Sequence, residues 1–168
     1  MMNFTNRINR QLHDEHMAVV ALLARLEQLL AQHRRDDPPK INDGKTTPLL
    51  SDFSTAVETE IQHHFAFEES HLFTYLEAIG EGGLGAHLTE EHRVILPIGM
   101  KLAKLARAAA TQSFDQASWS EFRPLAQEFC RLLLSHVQKE EMGLLPLLEE
   151  NIDADADARF FQEYVENA

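Results

Sequence analysis

From Ile8 to His33 the chain runs without a glycine or a proline, and apolar side chains return at three-and-four spacing, at Leu12, Val19, Leu23, Leu26 and Leu30. That is the period of a helix with one buried face. Three more long stretches carry it, over about 49–79, 86–110 and 118–149. The breakers between them are plain: "RRDDPPKINDGKTTP" has linker chemistry, Gly80 is placed as a left-handed cap, and "GEGGLG" reads as a flexible loop. Pro97 is expected to kink or break the third helix, Pro124 to fit only in a first turn, and Pro146 to bend a last one. The remainder, "NIDADADARFFQEYVENA", reads as a short terminal helix over about 152–166, docking through Phe160, Phe161, Tyr164 and Val165. No stretch alternates with the period of a strand. The expectation is an all-α chain: one domain over 1–168, an up-down four-helix bundle over about 8–149, and a short C-terminal helix.

The stripes are not purely apolar. On the first helix His16 falls between Leu12 and Val19; on the second, Val57 and Ile61 lead to His64 and Glu68, then Leu72, Tyr75 and Ile79. The third reads Leu88, His92, Ile95, Gly99, Leu102 and Ala106, and the fourth Phe129, Leu132 or Leu133, His136, Glu140, Leu144 and Leu147. Residues four apart lie about 40° around a helix and about 6 Å along it. His64 with Glu68, and His136 with Glu140, therefore aim at a common point. Burying two carboxylates without partners costs several kcal/mol each, and pairing them with each other repels. Four imidazoles and two carboxylates at one level call for positive charge, which metal ions supply.

The donor set has no thiolate, and mixed nitrogen and oxygen ligands suit iron, manganese or zinc. Two octahedral ions offer about twelve positions. Four histidines and two bridging glutamates fill eight, an oxo or hydroxo bridge takes two more, and about two stay open for a small diatomic. A single core histidine is more often a hydrogen-bonded structural residue, and a single His–Glu pair more often faces solvent; the agreement of four helices outweighs both readings. Among the other histidines, His63 points off the stripe, His71 lies on it but past the site as a candidate supporting residue, and His33 is about 25 Å along the helix from His16.

A formal net charge of -12 argues against nucleic acid and anionic membranes as partners. No apolar run approaches the roughly 18 residues of a membrane span, and "MMNFTNRINR" has no secretory h-region. The single Cys130 excludes an internal disulfide framework and fits a reducing, cytoplasmic setting.

With those residues in place, the chain resembles the hemerythrin-like, HHE cation-binding family. "LHDEHMAVVALLARLE" is similar to its first helix with His16 in the ligand place; "HFAFEESHLF" to its His-x-x-x-Glu signature, giving His64 and Glu68; "LTEEHRVIL" to its third-helix motif, giving His92; and "HVQKEEMGLLP" to its fourth, giving His136 and Glu140. The family's oxygen carriers place two histidines four apart on the third helix and end the fourth motif with an aspartate. Here His87 and His92 are five apart, about 140° around a helix, and the fourth motif carries Glu140 at four-residue spacing. The chain thus resembles the H-HxxxE-H-HxxxE branch, which includes bacterial nitric-oxide-responsive and iron-centre-repair proteins; the cysteine-bearing N-terminal domain of the repair proteins is absent from this sequence. His13, three residues before His16, is a candidate to replace or supplement it, and His87 a candidate additional ligand if the third helix begins between it and His92. The resemblance implies two iron ions at a carboxylate-bridged centre, with zinc or manganese as isolated alternatives, and a protein that binds or senses O2 or NO. A di-iron enzyme, an iron donor in nitrosative or oxidative stress repair, and a metal-stapled structural or partner-binding bundle are the alternatives.

Overall fold

The computed structural model describes residues 4–41 and 44–168. Five helices account for it: α1 (Arg7–Gln32), α2 (46–78), α3 (Gly82–Gln112), α4 (116–151) and α5 (Ala154–Glu166), with no strand among the described residues. The apolar stripes bury into two clusters. One holds Leu23, Leu26, Phe53, Ile95, Trp119, Phe122 and Phe129; the other holds Ile8, Leu12, Leu72, Leu76, Leu88, Leu148, Phe160 and Tyr164. Each such large side chain contributes roughly 1.5–3 kcal/mol by leaving water. α1 runs from the second cluster to the first, α2 back, α3 forward again and α4 back, which is the up-down order expected. His16, His64, His92 and His136 all fall where their helices pass between the clusters.

α2 and α4 are not uniformly α-helical. π-helical turns occupy Ala56–Ile61 and Glu68–Leu72 in α2 and Glu140–Leu144 in α4. A π turn holds one extra residue, so the face that follows lags by about 100°. The stripes expected downstream are displaced accordingly. After Glu68 the buried residues are Leu72, Phe73 and Leu76, while Tyr75 is half-buried and Ile79 is 44% exposed. After Glu140 they are Leu144, Leu145 and Leu148 rather than Leu147. Pro146 follows this second π turn and sits in the first turn of Leu145–Asn151, where its missing N–H is accommodated.

The loops and prolines need correcting as well. Gly80, at φ +87°, caps α2 as expected, but α3 already begins at Gly82, so most of "GEGGLG" is helix. A Cβ on Gly85 would sit 2.9 Å from the Phe73 Cβ, so glycine there lets α2 and α3 approach closely. α3 runs through Pro97 and α4 through Pro124, both well inside their helices rather than at breaks or in first turns. Both prolines are exposed, and so is Arg93, four residues before Pro97, where water can take up the freed carbonyl. Capping is clearest where α4 starts: Asp115 accepts from the Ser118 N–H at 2.7 Å while the Ser118 hydroxyl accepts from the Asp115 N–H at 3.0 Å.

α5 docks through Phe160 and Tyr164; Val165 instead is 54% exposed, and Phe161 lies under Arg7, whose guanidinium is 5.0 Å from the ring centroid. A polar clasp completes the docking. The buried Asp157 carboxylate accepts from the N–H groups of Arg7 and Ile8, each at 2.9 Å, capping α1, whose own first turn has no acidic residue.

Candidate metal centre

Two groups of four side chains come together between the clusters: His16, His64, Glu68 and Glu140, and Glu68, His92, His136 and Glu140. All are buried, and within each group the donor atoms lie within 4.8 Å of one another. The glutamates belong to both groups. His16 Nε2 is 3.3 Å from His64 Nε2, and His92 Nε2 is 3.0 Å from His136 Nε2, so each pair of imidazoles points at one spot. Around them Glu140 reaches His16 Nε2 at 2.9 Å and His136 Nε2 at 2.7 Å, and Glu68 reaches His64 Nε2 at 3.2 Å and His92 Nε2 at 3.4 Å.

Proximity is not satisfaction here. Both oxygens of Glu68, 0% exposed, and Oε1 of Glu140 have no aligned hydrogen bond, even where an imidazole nitrogen is close. The reason lies on the far side of the rings. Every one of the four histidines turns its Nδ1 to another carboxylate: His16 to Glu141 at 2.6 Å, and His64 to Glu15, His92 to Glu69 and His136 to Glu91, each at 2.8 Å. An imidazole that donates its Nδ1 proton outward presents a bare lone pair at Nε2. With the imidazoles neutral, four such lone pairs and two carboxylates face one another and call for positive charge, which either protons on the rings or bound cations supply. Cations resolve that arrangement, and the donor set fits a divalent metal.

The outer carboxylates form a closed ring around the bundle. Glu15 of α1 holds His64 of α2, Glu69 of α2 holds His92 of α3, Glu91 of α3 holds His136 of α4, and Glu141 of α4 holds His16 of α1. Such partners fix the ring orientation and raise the basicity of a metal-binding imidazole. None of these four carboxylates is among the residues singled out from the sequence. A signal was present: each lies next to one of the six inner residues, in "EH" at 15–16 and 91–92 and in "EE" at 68–69 and 140–141. One residue along a helix is about 100° around it, enough to reach the neighbouring helix.

Charge follows this geometry. Burial alone would push the His64 imidazole down, but the Glu68 and Glu15 carboxylates hold its pKa well above the ordinary histidine value. His16 and His136 are likewise raised against the pull of burial, by Glu140 with Glu141 and by Glu140 with Glu68 and Glu91. Burial would raise Glu140, yet the imidazoles of His136, His16 and His92 hold it well below the usual carboxylate range.

The remaining histidines separate cleanly. His13 joins neither group; its Nδ1 stands 2.8 Å from Oε2 of Glu141, behind His16. His87 is 58% exposed and 3.4 Å from Glu91; because α3 starts at Gly82, it and His92 occupy different faces. His71, read as a candidate support, faces away to Glu163 at 3.1 Å. Cys130 is core, its thiol pushed up to about 12 by burial.

A cavity of about 50 Å³ adjoins the centre on the His16 and His64 side. His16, His64, His136 and Glu140 form its inner end, Val19, Ile61, Phe65 and Val137 its apolar wall, and Glu15, Ala18 and Glu60 its outer end. His92 does not line the cavity; Phe65 stacks on it at 3.7 Å and 8° between planes, with Phe73 at 5.8 Å.

An antiparallel helical bundle with paired histidines and shared buried glutamates at its waist is a metal-binding protein. The family model for the hemerythrin HHE cation binding domain matches residues 7–148, and the chain belongs to that family. Among curated proteins and among solved structures, none matches the chain. No described helix is long and apolar enough to cross a membrane.

Proposed function

We propose that the chain is a di-iron protein that binds or senses O2 or NO. In this reading Glu68 and Glu140 would be shared by both ions, with His16 and His64 holding one and His92 and His136 the other. The observation that carries it is the sharing of both glutamates by two otherwise separate histidine pairs. Bridged metal pairs in helical bundles are built this way, with carboxylates common to both ions. When bound, ferrous ions supply the electrons and the open coordination position that a diatomic needs.

The protein's own part is selection. A cavity of about 50 Å³ exceeds the ~10–15 Å³ that one water requires, and suits a diatomic far better than an organic substrate. Its apolar wall favours a neutral gas over ions. The cavity meets His16, His64 and His136 while His92 is stacked under Phe65, so a small ligand would approach the centre from the side away from His92. The outer carboxylates keep each imidazole in the tautomer that offers Nε2.

The test is metal analysis and visible spectroscopy of protein purified without oxygen, then exposed to O2 and to NO. Two irons per chain and a spectral change with either gas are expected. One zinc per chain at full occupancy would overturn the reading.

A further inference from the structure

Tyr164 lies on α5, beyond the residues matched by the family model, yet it reaches the metal centre through one carboxylate. It is 3% exposed, its ring packed against Phe67 at 4.7 Å and His63 at 4.6 Å. Its hydroxyl donates to Glu15 Oε2 at 2.5 Å, and the same oxygen accepts from His64 Nδ1 at 2.8 Å. Gln11 donates to the other oxygen of Glu15 at 2.8 Å.

We infer that Tyr164 is a positioning residue for the metal centre, holding the Glu15 carboxylate against His64 so that the imidazole keeps its aim at the ion. The inference rests on the metal-binding reading above. Glu15 is the one ring carboxylate tethered by α5. Its side chain is 27% exposed, so without the phenol it can turn Oε2 to water and leave His64 without its outer partner. The phenol is a suitable tether because burial and the adjacent Glu15 push its own pKa up, which keeps the proton in place as a donor. A buried tyrosine hydroxyl ordinarily finds a partner; here that partner is the residue orienting a metal-binding histidine. α5 is itself anchored by Asp157 to the start of α1, so the tether has a rigid base.

The test is titration of the metal-free full chain with Co2+, followed by visible spectroscopy, for the wild type, Tyr164→Phe, Glu15→Gln and the double variant. Tyr164→Phe keeps the ring that packs on Phe67 and His63 and removes only the hydroxyl. The expected result is two Co2+ bound by the wild type, and about tenfold weaker binding of one of them by Tyr164→Phe, the low end of what loss of an outer partner costs. The bands of that ion alone shift, which a general loss of fold stability would not produce. Because both residues act through one contact, the double variant is no weaker than Glu15→Gln. Tyr75→Phe removes a hydroxyl that bonds the Asn151 carbonyl at 2.8 Å and serves as the control without effect. Unchanged affinity and spectrum in Tyr164→Phe, additive losses in the double variant, or equal shifts in the bands of both ions would each overturn the inference. Failure of the wild type to take up Co2+ would overturn the metal reading itself, and this inference with it.

Discussion

Metal and protons compete for the same nitrogens, and the geometry sets the exchange ratio. His16, His64 and His136 are all raised above the ordinary histidine value of 6.5 in the metal-free protein. At pH 6.5 each is therefore mostly imidazolium, and each must give up one proton before Nε2 can coordinate. Glu140, held well below 4.5, is already a carboxylate and releases none. Filling the site at pH 6.5 should thus expel protons, with three as the upper bound from these histidines. Each fully protonated histidine contributes about 1.4 kcal/mol per pH unit, so overall affinity should fall with acidification, and more steeply as more of the three are protonated. Calorimetric titration with Zn2+ in two buffers of different ionisation enthalpy counts the protons directly. Stability should move the opposite way without metal. The raised histidines stabilise the metal-free fold fully below 6.5, and that contribution is lost as pH rises through their folded values. The lowered Glu140 contributes above 4.5, and its share is lost as pH falls. Metal-free protein should therefore be most stable between about 4.5 and 6.5, and the gain in melting temperature on adding metal should widen from pH 6 to pH 8. Release of fewer than one proton at pH 6.5, with a flat gain in melting temperature, would refute the argument.

Other expectations test separate parts of the molecule. Glu140→Ala should lose at least one metal by elemental analysis, because its two oxygens face His16 and His136; full retention would remove it from the ligand set. Glu141→Gln should keep both ions but hold them roughly 10–100-fold more weakly in chelator competition, as the outer partner of His16. Ala18→Trp, at the exposed outer end of the cavity, should slow NO binding in stopped-flow mixing while metal content stays the same; an unaltered rate would place the entry elsewhere. Gly99→Ala should destabilise, since its Cβ would lie 2.7 Å from the Phe129 ring and 3.1 Å from Val57. Overpacking costs about 1–3 kcal/mol against a helix-propensity gain of about 1 kcal/mol, so a net fall in thermal stability is expected and a rise would contradict it.

The four stripes, their order and the six residues at the waist were legible in the sequence because they are intrahelical facts. Spacing of three and four along one chain determines which side chains share a face, whatever the neighbours do. His64 with Glu68 and His136 with Glu140 are legible for that reason, and so is the likeness of "HFAFEESHLF" to a ligand motif. Once a π turn intervenes the same arithmetic fails: Tyr75 and Leu147 were placed on the buried face, and the extra residue gave it to Leu76 and Leu148. No local residue preference announces such a turn.

What only the tertiary structure decided is everything that crosses from one helix to the next. The ring of Glu15, Glu69, Glu91 and Glu141 depends on helix rotation and stagger that no single stretch encodes, although each member sits beside an inner residue in the chain. The placing of His87 and His92 on different faces depended on where α3 begins, at Gly82, with Gly85 packed closely against Phe73. Tyr164 reads from sequence as one more docking aromatic. Its hydroxyl acquires a role only because α5 folds back along α1, bringing residues 149 positions apart within 2.5 Å.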